Sequence, residues 1–175
     1  MGQYSKKGMY SGYDKNHKER DKKDYYSTPV EEVFNILDKI GFKFVDTDVI
    51  LEPSCGGGHM VEGIIRYCKE NDFIPNIIAT DIQEREIKAN IEGASLLMGR
   101  EYDFIEDSYP YIDNIDYIIM NPPFSLIEPF VMKSLEIAKK GILMFGRLQF
   151  LEGEKRYEHI LKDNPPTIFY TYVDR

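Results

Sequence analysis

Tyr117-Ile118-Ile119-Met120-Asn121-Pro122-Pro123-Phe124 is the stretch on which the reading of this chain turns. Four apolar residues make a short buried strand. Two consecutive prolines then end it, because each fixes φ and removes an N–H donor. The strand runs into a stiff turn presenting carbonyl oxygens, the Asn121 amide and the Phe124 ring. That surface suits a planar group bearing an exocyclic NH2. The Asn121 side-chain oxygen and the Pro122 carbonyl can accept its two hydrogens, and Phe124 can stack on its ring. The plainer alternative is a strand-ending turn that buries Phe124 in the core.

Outward from this turn the chain alternates strand and helix patterns. Thr28-Pro29-Val30-Glu31 reads as a capping box opening a helix that Gly41 stops. Val49-Ile50-Leu51 reads as a first buried strand. Gly56-Gly57-Gly58 comes next, and Met60, Val61, Ile64, Ile65 and Cys68 mark one face of a second helix. Ile77-Ile78-Ala79-Thr80 is a second strand, ending at Asp81. Residues 84–98 read as weakly helical, with Asp103-Phe104-Ile105 as a short third strand or its end. Tyr117–Met120 is the fourth strand. Ser125 and Glu128 resemble a capping box for a helix through Lys140. Ile142–Phe145 is a fifth strand, 153–162 a short helix, and 168–173 a sixth strand.

Short apolar runs alternating with helices predict a mostly parallel sheet with helices on both faces, the Rossmann-like α/β class. In such sheets a ligand lies outside the carboxyl ends of the strands. Glu52, Asp81, Asp103 and Asn121 each fall at or near such an end, so the topology gathers them into one crevice. Glycines after the first strand permit positive φ and close approach of a ligand to the backbone; alone they are equally a tight turn. Asp81 can accept both hydroxyls of a ribose, with Ile82 under a purine ring, or can cap a helix.

The length of 175 residues favours one folded domain, and 42% apolar with 30% charged residues is the balance of a globular protein. No apolar run reaches the roughly 18–20 residues of a membrane span, and the polar first residues carry no secretory h-region. We therefore expect a cytoplasmic protein with no membrane partner. Two cysteines, Cys55 and Cys68, make no disulfide framework, and no Cys/His cluster has zinc spacing, so no metal is expected. Net charge is −8, which counts against a broad basic surface for duplex nucleic acid. The charge is uneven: residues 1–24 hold seven Lys/Arg against four Asp/Glu, net +3, leaving 15 against 26, net −11. Residues 1–24 read as a disordered basic tail, either solubilising or a mobile arm in which Lys6, Lys7, Lys18, Arg20, Lys22 and Lys23 touch phosphate. Residues 25–175 read as the folded domain.

Taken together, these motifs resemble the S-adenosylmethionine-dependent amino-methyltransferases, most of all the N6-adenine DNA methyltransferases of bacteria and phages. Asn121, Pro122, Pro123 and Phe124 match that family's target-base motif throughout. Its cofactor motif, an acidic residue then Pro-x-x-Gly-x-Gly, matches Glu52, Pro53, Gly56 and Gly58. Its acidic residue after the second strand matches Asp81, which the resemblance puts on the ribose, beside Ile82. Its Asp-Phe after the third strand matches Asp103 and Phe104, with Asp103 on the cofactor's adenine amino group. An aromatic-x-Thr-Pro segment matches Tyr26, Thr28 and Pro29, at the methionine end of the cofactor. The order resembles the subgroup with the cofactor motif first.

The resemblance implies a class I methyltransferase fold, from which this chain is expected to depart in two ways: it lacks the seventh strand, and it lacks the separate target-recognition domain that members of the subgroup usually carry. It implies methyl transfer to N6 of an adenine flipped out of DNA, with recognition supplied by a separate subunit or a missing C-terminal segment. Two alternatives stay open. One is transfer to another planar amino or amide group, since relatives with similar turns act on a ribosomal RNA guanine or a protein glutamine. The other is a non-catalytic cofactor- or DNA-binding remnant. His59 and His159 read as surface residues rather than general bases. Lys139, Lys140, Arg147, Lys155 and Arg156 are further candidates for phosphate contact.

Overall fold

The computed structural model describes residues 27–92, 95–99, 101–107 and 114–172. Tyr26 and the 1–24 tail lie outside these. Five strands, β1 (Val49–Glu52), β2 (Asn76–Thr80), β3 (Ser95–Gly99), β4 (Tyr117–Met120) and β5 (Gly141–Met144), form one parallel sheet in the order β3-β2-β1-β4-β5. This is a doubly wound, Rossmann-like α/β fold. β1 lies at the centre, aligned Ile50 to Ile77 on one side and Ile50 to Tyr117 on the other. Because every strand runs the same way, all five carboxyl ends open on one edge. The strand order reverses between β1 and β4, where such sheets form their crevice.

Alternation along the strands decides which helices cover which face. Ile50, Ile77, Ala79 and Ile119 point to a core shared with α1 (Val30–Lys39) and α2 (His59–Glu70), through Val33, Leu37, Met60, Val61 and Ile64. Leu51, Ile118 and Met120 point the other way, to α3 (Ile127–Ile137), through Phe130, Val131 and Ile137. The continuous apolar runs of the strands exist because both faces are covered. α1 and α2 approach closely at Gly63, where a Cβ would stand 2.6 Å from the Val33 Cβ. A short helix, Glu154–Arg156, widens to π geometry over Tyr157–Leu161, matching the helix expected near 153–162.

Several local expectations are corrected. The third strand is Ser95–Gly99, not 103–105, and 84–92 is irregular rather than helical. The N–H groups of Lys88 and Ala89 donate to the Gly57 carbonyl at 3.0 and 3.3 Å, so this segment spends its donors on the glycine turn. β3 instead supplies the edge of β2, aligned from Asn76–Ser95 to Thr80–Gly99. Neither capping box forms. α1 starts at Val30 on the Pro29 carbonyl with no side-chain cap, and α3 starts at Ile127 after a 3-10 turn over Phe124–Leu126. Glu128, the expected cap partner, pairs with Arg156. The sixth strand is absent among the described residues: 168–172 pair with no strand, and Ile168 and Phe169 stay 62% and 57% exposed. β-propensity needs a paired backbone and a buried face to become a strand. Tyr172 instead donates to the Glu32 carbonyl of α1 at 3.2 Å.

Candidate functional site

A cleft with about 970 Å³ of empty space, part of it open to solvent, lies over the carboxyl ends of the strands. Of the residues singled out from sequence, Thr28, Glu52, Pro53, Asp81, Ile82, Asp103, Phe104, Asn121 and Pro123 line it. Pro29, Gly56, Gly58, Pro122 and Phe124 are adjacent in sequence to lining residues but are not part of the lining.

β1 delivers Glu52 to the floor. The side chain is 1% exposed, and its Oε1 accepts from the Ser54 N–H at 3.0 Å and the Ser54 hydroxyl at 3.2 Å. Burial pushes the Glu52 carboxyl up from 4.5 to about 8, against the lowering effect of the Ser54 bonds and with a further push from Asp81. Burial thus favours the protonated acid there. Burial also raises the Cys55 thiol, so it stays protonated.

The glycine turn closes against β2. Cys55 N–H donates to the Thr80 carbonyl, and Gly56 N–H donates to Asp81 Oδ2, both at 2.9 Å. Gly56 and Gly58 have φ of +52° and +86°, a region L side chains avoid. Gly58 N–H returns to the Cys55 carbonyl at 2.8 Å, and α2 begins at the next residue. Asp81 Oδ1 accepts from Gln83 N–H at 2.8 Å, and the Arg85 Nε stands 3.9 Å away. Asp81 is thus an anchor of the glycine turn and caps no helix, because the segment after it is not helical.

Tyr102 N–H donates to the Asp81 carbonyl at 2.9 Å and carries the chain past β3 into the cleft wall. There Asp103, 2% exposed, accepts from the Ile105 and Glu106 N–H groups at 3.0 and 3.3 Å. Asp107 reciprocates on Asp103 N–H at 2.8 Å. The result is a rigid one-turn hook that fixes a buried carboxylate. Phe104 packs on Phe130 with centroids 5.0 Å apart, joining the hook to α3.

β4 delivers the proline turn to the opposite side. The Asn121 amide nitrogen donates to the Thr28 hydroxyl at 3.0 Å, and the Ser54 hydroxyl lies 3.2 Å from the Asn121 carbonyl. Ser54 therefore touches both Glu52 and the Asn121 backbone, bridging the two sides of the switch point. Thr28, expected as a cap, is held by Asn121. Phe124 lies with the Arg147 guanidinium 4.0 Å from its ring centroid.

Sequence reasoning missed Ser54, whose small polar side chain between a proline and a cysteine looks like turn filler. His59 is corrected: it lines the cleft rather than the outer surface. Its Nδ1 is shielded from solvent and finds no hydrogen-bond partner among the described residues. His159 is exposed, as expected. Lys140 pairs with Asp48 and Asp116 at the far ends of the strands, away from the cleft.

No protein-family model matches the sequence, and no curated protein matches it. Solved structures share the fold. One is a type I restriction-modification methyltransferase subunit from Streptococcus thermophilus, at TM-score 0.54 and 14% identity, covering 75% of this chain and 36% of that one. Another is a fibrillarin/Nop5p complex, at TM-score 0.52 and 14% identity, covering 74% of this chain and 66% of the matched one. The chain thus spans about a third of the first structure's length and just under two thirds of the second's, and what it shares with both is the fold.

Proposed function

We propose that this chain is an S-adenosylmethionine-dependent methyltransferase acting on the N6 amino group of adenine in DNA. One observation carries the reading: the strand-end acids Glu52 and Asp81, Asp103 from the loop after β3, and Asn121 and Pro123 of the proline turn line a single cleft at the β1/β4 switch point. The donor set suits a zwitterionic nucleoside ligand. A buried neutral acid at Glu52 gains its charge when a cation arrives. The shielded Nδ1 of His59, without a hydrogen-bond partner among the described residues, faces the same cleft. Asp81 and Asp103 offer carboxylates fixed by backbone donors. In this reading Glu52, Pro53, Gly56 and Gly58 hold the cofactor, with Tyr26 and Pro29 at its methionine end, while Thr28 faces the acceptor side through its bond to Asn121. Asp81 takes the ribose, and Ile82, Asp103 and Phe104 take the adenine.

The cofactor, when bound, supplies a methyl already electrophilic on a sulfonium. The chain's own task is orientation. An adenine N6 lone pair is delocalised into the ring and attacks poorly. The Asn121 side-chain oxygen and the Pro122 carbonyl accept its two hydrogens, favour a pyramidal nitrogen and oppose the positive charge that develops on it. No strong base is required, since the proton turns acidic only as the new bond forms. Phe124 gives the extruded base a stacking face. The protein is to be incubated with DNA and S-adenosylmethionine, and the nucleosides analysed by mass spectrometry. 6-Methyladenine is the expected product. Methyl found only on RNA or on a peptide glutamine would overturn the acceptor assignment, and absence of cofactor binding by calorimetry would overturn the whole reading.

A further inference from the structure

We propose that Arg147 selects a substrate carrying a flat base beside a phosphate, that is, a nucleic-acid strand: its guanidinium covers the Phe124 ring until a base takes that face, then moves to the backbone phosphate. This rests on the reading of Phe124 as a stacking face. The guanidinium carbon lies over the ring, 4.0 Å from its centroid, within cation–π range. Four arginines fall among the described residues, and three are tied to carboxylates: Arg66 to Glu31 and Glu70, Arg85 to Asp81, Arg156 to Glu128. Arg147 makes no ion pair with a described residue. Arg147 is thus the one described arginine without an ion-pair partner among the described residues, and it stands beside the acceptor turn.

Just before it, Gly146 runs beside the first residue of α3: a Cβ there would meet the Ile127 Cδ1 at 3.0 Å and the Met144 Cε at 3.2 Å. The Arg147 side chain is exposed and has solvent to move through. A guanidinium is planar and weakly hydrated, so it can lie on an aromatic face in place of a base. Its fork of donors also matches a phosphate. Base–aromatic stacking tolerates any base, so exchange at the ring needs no sequence match. A peptide glutamine offers neither the flat face nor the anion, and would leave Arg147 where it is.

The test uses the whole chain and a single-stranded oligodeoxyadenylate of about 12 nucleotides, whose bases already lie accessible. Binding is measured by anisotropy across salt concentrations. Arg147→Ala should reduce the slope of log affinity against log salt by about 0.7, the share of one single-strand phosphate, and Arg147→Lys should retain it. The sequence contains no tryptophan, so Phe124→Trp installs a lone reporter on the stacking face. Oligodeoxyadenylate should quench its emission, and a glutamine-containing peptide should not. An unchanged slope in Arg147→Ala, or equal quenching by the peptide, overturns the proposal. Calorimetry with S-adenosylmethionine is run in parallel: Arg147→Ala should bind it like the parent chain. A parent chain that ignores the cofactor yet shows the Arg147-dependent slope would uphold Arg147 and overturn the methyltransferase reading.

Discussion

The Asn121 amide nitrogen and the Thr28 hydroxyl meet at 3.0 Å across 93 residues of sequence. The bond fixes the amide's orientation, because with Nδ2 held on Thr28 the side-chain oxygen points elsewhere. It also links the segment before α1 to the end of β4. If Asn121 accepts from the substrate amine, Thr28 acts through it as a positioning residue. Thr28→Val keeps the shape and removes the acceptor. A lost hydrogen bond of about 1–1.5 kcal/mol predicts roughly a tenfold fall in single-turnover rate. Thr28→Ser should restore it, and cofactor affinity should change by less than about twofold in either variant, because this contact is on the acceptor side. A Thr28→Val chain that loses cofactor affinity and keeps its rate would instead put Thr28 on the cofactor, where the sequence resemblance places it.

Glu52 gives a pH dependence whose sign is set by burial. Its carboxyl is pushed from 4.5 up to about 8 in the folded, ligand-free chain. Between those values the folded state holds a proton that the unfolded state has released. The stability this group contributes is full below 4.5 and is lost as pH rises through about 8. The melting temperature of the ligand-free chain should fall as pH is raised from about 6 to 9. Glu52→Gln, which cannot ionise, should flatten that dependence. A cationic ligand favours the ionised form, so its binding at neutral pH should release a proton and its affinity should rise toward pH 8. Calorimetry in buffers of different ionisation enthalpy reads the proton directly. A melting curve independent of pH in the parent chain would show that Glu52 is already charged.

The sheet and its functional edge were legible because strands buried on both faces leave unbroken apolar runs, and Val49–Leu51, Ile77–Thr80 and Tyr117–Met120 are such runs. The residues that end them are the polar ones that line the cleft. The third strand was hidden because Ser95–Gly99 is preceded by a stretch whose spacing also fits a helix. Two tertiary hydrogen bonds to the Gly57 carbonyl decided against that helix. The 168–172 run shows the opposite error: local β-propensity with no partner strand among the described residues and no buried face. Both capping boxes misled for a related reason. Thr28 and Glu128 have longer-range partners, Asn121 and Arg156, that short-range patterns cannot display.

Gly63 tests the α1/α2 packing behind the start of α2, whose His59 and Met60 line the cleft. A Cβ there would stand 2.6 Å from the Val33 Cβ and 2.9 Å from the Val30 carbonyl oxygen. The second neighbour is backbone and cannot rotate away. Gly63→Ala should gain about 1 kcal/mol in helix propensity. It should lose more to overpacking, which costs about 1–3 kcal/mol and at a backbone contact lies at the upper end. Net destabilisation by denaturant titration is expected, and Val33→Ala in the same chain should relieve part of it. A Gly63→Ala chain as stable as the parent would mean the helices can separate freely.

Asp81 and Asn121 separate the two halves of the proposed reaction. Asp81 accepts from Gly56 N–H at 2.9 Å and Gln83 N–H at 2.8 Å, so it shapes the glycine turn even before any ligand arrives. Asp81→Ala removes both acceptors and the carboxylate offered to a ribose. Hydrogen bonds to a charged group are worth about 1.5–3 kcal/mol, so cofactor affinity should fall by roughly 10–100-fold. At saturating cofactor the transfer rate should stay within about threefold, because interactions made equally in ground and transition states leave the rate alone. Asn121→Ala should do the reverse, abolishing transfer while cofactor affinity stays nearly intact. Asp81→Ala calls for a melting curve alongside, since Gly56 N–H then loses its partner. If both variants lose affinity and rate in equal measure, the division of the cleft into a cofactor side and an acceptor side fails, and with it the assignment of Asn121 to the substrate amine.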